Sequence, residues 1–223
     1  MPSSISPKWN KGLDISSAKS AYTSDFNSQN IKIRSSLLSR LFPEEINSKK
    51  LTIVDTNKLS PVSLKFFNNY WCKLIVTDIS SDIANINLIT SNLDDEENVQ
   101  KSIQKVIDSF IFSDDNIDII LLWDLLNYLT LEQIQSIFKN ISRCGNGDKY
   151  IHAYFYDSGK MPSKPLSYRI SSSNEIMVLA EENSYIDCPL YHRAAIQKHS
   201  LPFEIDSTVM LPSGMQEYLF YLG

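Results

Sequence analysis

The sequence predicts an α/β protein, a mostly parallel sheet flanked by helices and closed by a C-terminal antiparallel hairpin. Two apolar runs each end on an acid, Leu51-Thr-Ile-Val-Asp55 and Leu74-Ile-Val-Thr-Asp78, and a third, Ile117-Asp-Ile-Ile-Leu-Leu-Trp-Asp124, follows them. Helical patterns separate the runs, which is the alternation that builds a parallel sheet. At the end of the chain, residues 203–211 and 215–222 flank Pro212-Ser-Gly214 and read as a hairpin.

Taken in order, residues 1–30 are rich in Ser, Asn, Lys and Pro with scattered Trp9, Tyr22 and Phe26, and read as an arm preceding one domain over 31–223. Ile33, Leu37, Leu38, Leu41 and Phe42 recur at helical spacing before Pro43 and predict a short helix over one sheet edge. After the strand ending at Asp55, Ser60 and Pro61 form a helix start, because proline's missing N–H falls where no intrahelical bond is made. A strand over 73–77 follows. Residues 80–92 leave two readings open, a helical face of Ile83, Ile86 and Ile89 or a short strand over 86–90. Asp94-Asp-Glu-Glu97 opens a helix with acids at its positive end and an apolar stripe of Val99, Ile103, Val106, Ile107 and Phe110. Beyond Trp123, Thr130-Leu-Glu-Gln133 fits a capping box for a helix lined by Ile134, Ile137, Phe138 and Ile141, which Gly145-Asn-Gly147 closes. Residues 149–156 make a further strand. A long segment containing Met161-Pro-Ser-Lys-Pro165 then leads to a helix over 191–198.

Composition limits the function classes. A net charge of -5 gives no basic footprint for nucleic acid, which needs clustered Lys and Arg on one face. Cys72, Cys144 and Cys188 are far apart and form no C-x-x-C pair, so buried reduced thiols are expected rather than a disulfide framework or zinc site. His152, His192 and His199 lack any metal-ligand spacing and read as structural. No apolar stretch approaches the roughly 20 residues of a bilayer span, and the N-terminus lacks a secretory core, so a cytoplasmic protein without membrane contact is expected.

The turn after the first strand carries the functional question. A Rossmann-like sheet normally has glycines there, because only glycine takes up positive φ while letting the backbone approach a cofactor. Here the turn reads Thr56-Asn-Lys-Leu-Ser-Pro61, and no glycine occurs between Gly12 and Gly145. No phosphate-cradling loop is visible elsewhere.

With Asp78 ending the second strand, the stretch from Asp118 to Leu129 and the closing hairpin, residues 45–223 resemble the class I S-adenosylmethionine-dependent methyltransferases. Trp123-Asp-Leu-Leu-Asn-Tyr-Leu129, Met161-Pro-x-x-Pro165-x-x-Tyr168 and Gln216-Glu-Tyr-Leu-Phe220 are similar to a bacterial branch of these proteins. The resemblance implies a Rossmann-like three-layer αβα sandwich with a reversed last strand. It implies that Asp55 opens the cofactor motif and that Asp78 grips the ribose hydroxyls of S-adenosylmethionine. It also places the turn holding Asp124, Asn127 and Tyr128 beside the acceptor. Asp124 would then be a general base and Asn127 would position an acceptor, with Tyr154, Tyr156 and Asp157 near the same cleft. The structural alternative is that Asp124 or Asn127 caps the next turn while Trp123 and Tyr128 pack on the sheet.

The departure is the missing glycine turn. Asn57, Leu59 and Pro61 stand at or near the glycine positions, and Pro61 removes an N–H that would face a ligand carboxylate. Two functions are expected from this. In one the fold is a non-catalytic or repurposed scaffold for a protein partner, with exposed aromatics in the arm and in the 161–168 segment as contacts. In the other it is an active methyltransferase on an oxygen or nitrogen acceptor. Geometry separates them: an open cleft beside Asp78 favours the enzyme, and Lys58 or Leu59 filling it favours the scaffold.

Overall fold

The structure, a computed structural model, describes residues 30–43, 49–90, 96–109, 116–157, 159–179 and 184–223. The predicted arm therefore lies outside the described residues, apart from Asn30. The strands are β1 (Asn30–Arg34), β2 (Leu51–Asp55), β3 (Cys72–Val76), β4 (Ile119–Trp123), β5 (Lys149–Tyr156), β6 (Lys160–Pro162), β7 (Ser167–Ser172), β8 (Glu175–Leu179), β9 (Tyr185–Asp187), β10 (Glu204–Met210) and β11 (Met215–Leu222). The helices are α1 (Leu38–Leu41), α2 (Pro61–Phe67), α3 (Ile79–Thr90), α4 (Glu96–Ser109), α5 (Leu131–Ser142) and α6 (Arg193–His199), with a single 3-10 turn at Leu125–Tyr128.

A six-stranded sheet in the order β10-β11-β5-β4-β2-β3 forms the centre. Its β3, β2, β4 and β5 are mutually parallel, which makes this a mixed α/β fold of Rossmann-like kind. β11 runs antiparallel to both β5 and β10. Every residue of β4 is buried, as a central parallel strand covered on both faces requires. Phe138 of α5 meets Phe203 and Phe220 edge-on, and burying each such side chain contributes about 1.5–3 kcal/mol.

Local chemistry sets the helix starts. The Ser60 hydroxyl accepts from the Ser63 N–H with Pro61 at the first helical position. At α5 the Thr130 hydroxyl accepts from the Gln133 N–H while the Gln133 side chain accepts from the Thr130 N–H, a full capping box. The open reading at 80–92 resolves as helix α3. The next helix begins at Glu96; Asp94, Asp95 and Phe110 lie outside the described residues.

Two expectations are corrected. Ile33 belongs to strand β1, and helix α1 holds only four residues, because β1 pairs antiparallel with β8 instead of continuing a helix. The segment after β5 is no simple connection. It contains β6 and β9, which pair with each other, and β7 and β8, which build a second sheet in the order β1-β8-β7. That sheet rests on α2, where the Ile170 N–H donates to the Ser63 hydroxyl at 3.2 Å.

Candidate functional site

In an open parallel sheet, ligands lie beyond the carboxyl ends of the strands, where successive connections leave in opposite directions. Here that point lies between β2 and β4, and Asp55 and Trp123 occupy it. The Trp123 indole N–H donates to Asp55 Oδ1 at 2.7 Å, and the Asn57 N–H donates to the same oxygen at 3.0 Å. Burial pushes the Asp55 carboxyl up to about 6, against the pull of those two donors. Asp55 is 2% exposed, so its partners are the protein's own groups.

The turn that lacks glycine is held by side chains. Thr56 donates its hydroxyl to the Leu121 carbonyl at 2.9 Å, Ser80 donates to the Thr56 carbonyl at 3.0 Å, and Asn57 Nδ2 donates to the Leu166 carbonyl at 3.0 Å. Lys58 and Leu59 point outward and are exposed.

Asp124, Tyr128 and, from that turn, Asn57 converge on one stretch of chain, residues 161–167, which crosses the strand ends as a strap, while Asn127 bonds to β5. Asp124 Oδ2 accepts from the Leu166 N–H at 3.1 Å, while its Oδ1 has no partner. Burial raises the Asp124 carboxyl to about 7, opposed by the Leu166 N–H and the Tyr168 and Tyr156 hydroxyls. The Tyr168 hydroxyl lies close enough to act on it without a well-directed hydrogen bond. Asn127 Nδ2 donates to the carbonyls of Asp124 and Tyr154 at 2.8 Å each, and its Oδ1 accepts from the Tyr156 N–H at 3.0 Å. The Tyr128 hydroxyl shares its proton between the carbonyls of Pro162 at 2.9 Å and Lys164 at 2.7 Å. Asn127 and Tyr128 thus spend their polar atoms on the chain itself, as Asp124 does with Oδ2 alone, and Asp124 caps no turn with its carboxylate.

Beneath the strap, Tyr168 stacks on Trp123 at 5.0 Å and on Tyr154 at 5.6 Å. The expectation of exposed aromatics in the 161–168 segment is therefore corrected, since Met161 and Tyr168 are buried in this stack. Trp123 adopts φ 53, costly for a bulky residue, where β4 slips register against β5. Its ring stacking and its bond to Asp55 hold it there. Tyr156 donates to Asp124 Oδ2 at 3.4 Å, whereas Asp157 is exposed and its carboxylate accepts from Gln216 at 3.4 Å.

Two clefts flank the strap. One, of about 310 Å³, lies beside Asp78 and is lined by Asn57, Lys58, Ser80, Lys164 and Ser167 among others. Asp78 is exposed there, with Oδ1 taking the Ser81 hydroxyl at 2.6 Å and Oδ2 accepting nothing among the described residues. The other, of about 740 Å³, lies between α4 and the β6–β9 pair and is bordered by Ile103, Asn127, Tyr128, Met161, Ile186 and Tyr191. Of the five residues singled out from sequence, Asp78 alone faces the first cleft, and Asn127 and Tyr128 border the second. Lys58, expected only as a side chain that could fill this cleft, lines it instead.

The odd cysteines are free thiols. Among the described residues no three His, Cys, Asp or Glu side chains gather as a metal site requires, and no helix is long and apolar enough to cross a membrane.

Comparison with known protein families returned no match, and no curated protein matches the chain. Among solved structures the chain is similar to the PH0226 protein of Pyrococcus horikoshii OT3. The identity is 11% over 94% of this chain and 99% of that one, with a TM-score of 0.39. The functional reading accordingly rests on the geometry above.

Proposed function

We propose that this chain is a class I methyltransferase-like protein that has kept the nucleoside end of a cofactor cleft and closed the transfer centre, so that it binds an S-adenosyl ligand without transferring a methyl group. The three-layer form of that class, with β11 reversed between β5 and β10, is part of the same reading. One observation carries it: the strap stands between the two clefts, tied down by Asn57, Asp124 and Tyr128. A methyl donor beside Asp78 and an acceptor beside Tyr128 would be walled apart.

The residues fit the nucleoside half of the cofactor. Asp78 Oδ2 is open to a sugar hydroxyl at the carboxyl end of the sheet, where a carboxylate accepts well from a vicinal diol. They do not reproduce the glycine cradle for the amino-acid half, since the Asn57 N–H is engaged by Asp55 and Pro61 has none. S-adenosylmethionine, where bound, supplies an electrophilic methyl; Asp78 orients the sugar, and the strap excludes an acceptor.

A second reading, an active methyltransferase on an oxygen or nitrogen acceptor, is favoured by the 740 Å³ cleft bordering Asn127 and Tyr128. It requires the strap to lift. The Asp78 cleft is open, and Lys58 lines it without filling it, which counts for this second reading by the criterion of the open cleft, although ligand binding is common to both.

Calorimetric titration with S-adenosylhomocysteine and S-adenosylmethionine is the test. Dissociation constants of about 1–100 μM, weakened at least about tenfold by Asp78→Ala, are expected. Tyr128→Phe should leave them unchanged. Absence of binding at millimolar ligand rejects the reading.

A further inference from the structure

The turn that replaces the glycines gives up some backbone donors and gains a side-chain cation. Thr56 spends its N–H on the Leu121 carbonyl and Asn57 on Asp55. Pro61 has none to give. An anionic ligand end near this helix start would lose those three donors. It would find Lys58, which is exposed and lines the 310 Å³ cleft.

Lys58 differs from the lysines that form ion pairs elsewhere on the molecule. Lys32 pairs with Glu175, Lys49 with Asp118, Lys101 with Glu97 and Lys160 with Asp187. Among the described residues Lys58 pairs with no carboxylate, although Asp78 lines the same cleft. The cleft thus presents an open carboxylate oxygen and a separate ammonium group, a dipolar arrangement suited to a ligand with hydroxyls at one end and negative charge at the other. Lys164, on the strap, adds a second lysine to the lining. A volume of about 310 Å³ lies at the lower end for small-molecule sites and suits one nucleoside with a short tail rather than a dinucleotide.

We infer that the cleft beside Asp78 selects anionic nucleosides, with the sugar hydroxyls on Asp78 and a carboxylate or phosphate on Lys58. This rests on the reading of that cleft as a nucleoside site. Lys58 is the specificity-determining residue: it adds affinity for charged ligands and none for neutral ones. A charge-assisted hydrogen bond of this kind is worth about tenfold or more in affinity.

The test titrates the full chain with adenosine, adenosine monophosphate and S-adenosylhomocysteine, for the native protein and for Lys58→Ala, Lys58→Glu and Asp78→Ala. Adenosine monophosphate, an anion, or S-adenosylhomocysteine, a zwitterion with a carboxylate, should bind about tenfold more tightly than adenosine, with the advantage shrinking as salt rises. S-adenosylhomocysteine ahead identifies a carboxylate site, and adenosine monophosphate ahead a phosphate site. Lys58→Ala should erase the advantage and Lys58→Glu reverse it for adenosine monophosphate, both leaving adenosine within about twofold. Asp78→Ala should weaken all three ligands. Equal binding of all three by the native protein, or equal losses for all three in Lys58→Ala, overturns the inference while the nucleoside site stands. No binding by any of them overturns both. Because Lys58 is exposed, its variants should keep the native circular dichroism spectrum.

Discussion

Asp124 is 1% exposed, and the titratable groups facing it are tyrosines, Tyr128, Tyr156 and Tyr168, with no cation among them. Its carboxyl is raised from 3.8 to about 7, first by burial. Asp55 is raised to about 6 for the same reason. A carboxyl whose folded value exceeds its unfolded value contributes stability that is complete below the unfolded value and is lost as pH rises through the folded one. Unfolding free energy should therefore fall between about pH 4 and pH 7, by a few kcal/mol at most. Asp124→Asn, which cannot ionise, should flatten the upper part of that decline. Urea denaturation of both proteins from pH 5 to pH 8 measures it, and parallel curves would refute the assignment. At this scale the sequence marked the right neighbourhood and blurred the roles. Asp55, Asp124, Asn127 and Tyr128 stand at the carboxyl ends of neighbouring strands, but nothing local in sequence shows that Asp124 and Tyr128 bond to backbone atoms of residues 162–166, or Asn127 to β5. His152 was legible as a structural histidine, whereas its partner Glu217, 65 positions away, was not.

The strap shows how an element is fixed without regular pairing along its length. Removing the Tyr128 hydroxyl leaves the carbonyls of Pro162 and Lys164 without it, at a cost of about 1–3 kcal/mol. Tyr128→Phe should raise amide exchange over residues 161–167 more than over β2 or β5, and mass-spectrometric hydrogen exchange reads this directly. The helix caps belong to the same scale. Ser60→Ala should destabilise α2 by about 1 kcal/mol in urea titration. These caps were readable because capping depends on three or four adjacent residues. The second sheet was not read, though Tyr168 and Ile170 alternate with polar residues and an apolar run, Ile176-Met-Val-Leu179, follows the turn at Asn174. Short strands in a serine-rich stretch carry little pattern, and β1, their third partner, lies more than 130 residues earlier.

Across the whole molecule, the two main sheets are tied through charge in the core. Glu217 of β11 accepts from the Ser35 hydroxyl beside β1 and contacts His152 Nε2 of β5 at 2.8 Å, with Glu217 and His152 both fully buried. Burial works to raise Glu217, but His152 and Ser35 more than offset it and hold the carboxyl below its ordinary range. Removing one partner strands the other, so His152→Ala should lower Tm by about 10 °C. His152→Leu with Glu217→Met should recover most of that loss in calorimetric melting, since a packed apolar pair avoids the desolvation of a buried carboxylate and its polar partner. The central sheet was legible at this scale because parallel strands covered on both faces read as unbroken apolar runs. The arrangement of one sheet against the other was not, because it depends on contacts between distant segments.

Trp123 also makes the molecule its own optical gauge. Its indole is 1% exposed, bonded to a carboxyl that titrates near pH 6 and stacked on Tyr168 of β7, whereas Trp71 is 62% exposed. With Trp9 and Trp71 replaced by Phe, emission comes from that single buried ring. Its intensity should change as Asp55 titrates, and its shielding from acrylamide should weaken when Tyr128→Phe loosens the strap. Fluorescence then follows the seating of the strap in solution, without any attached label.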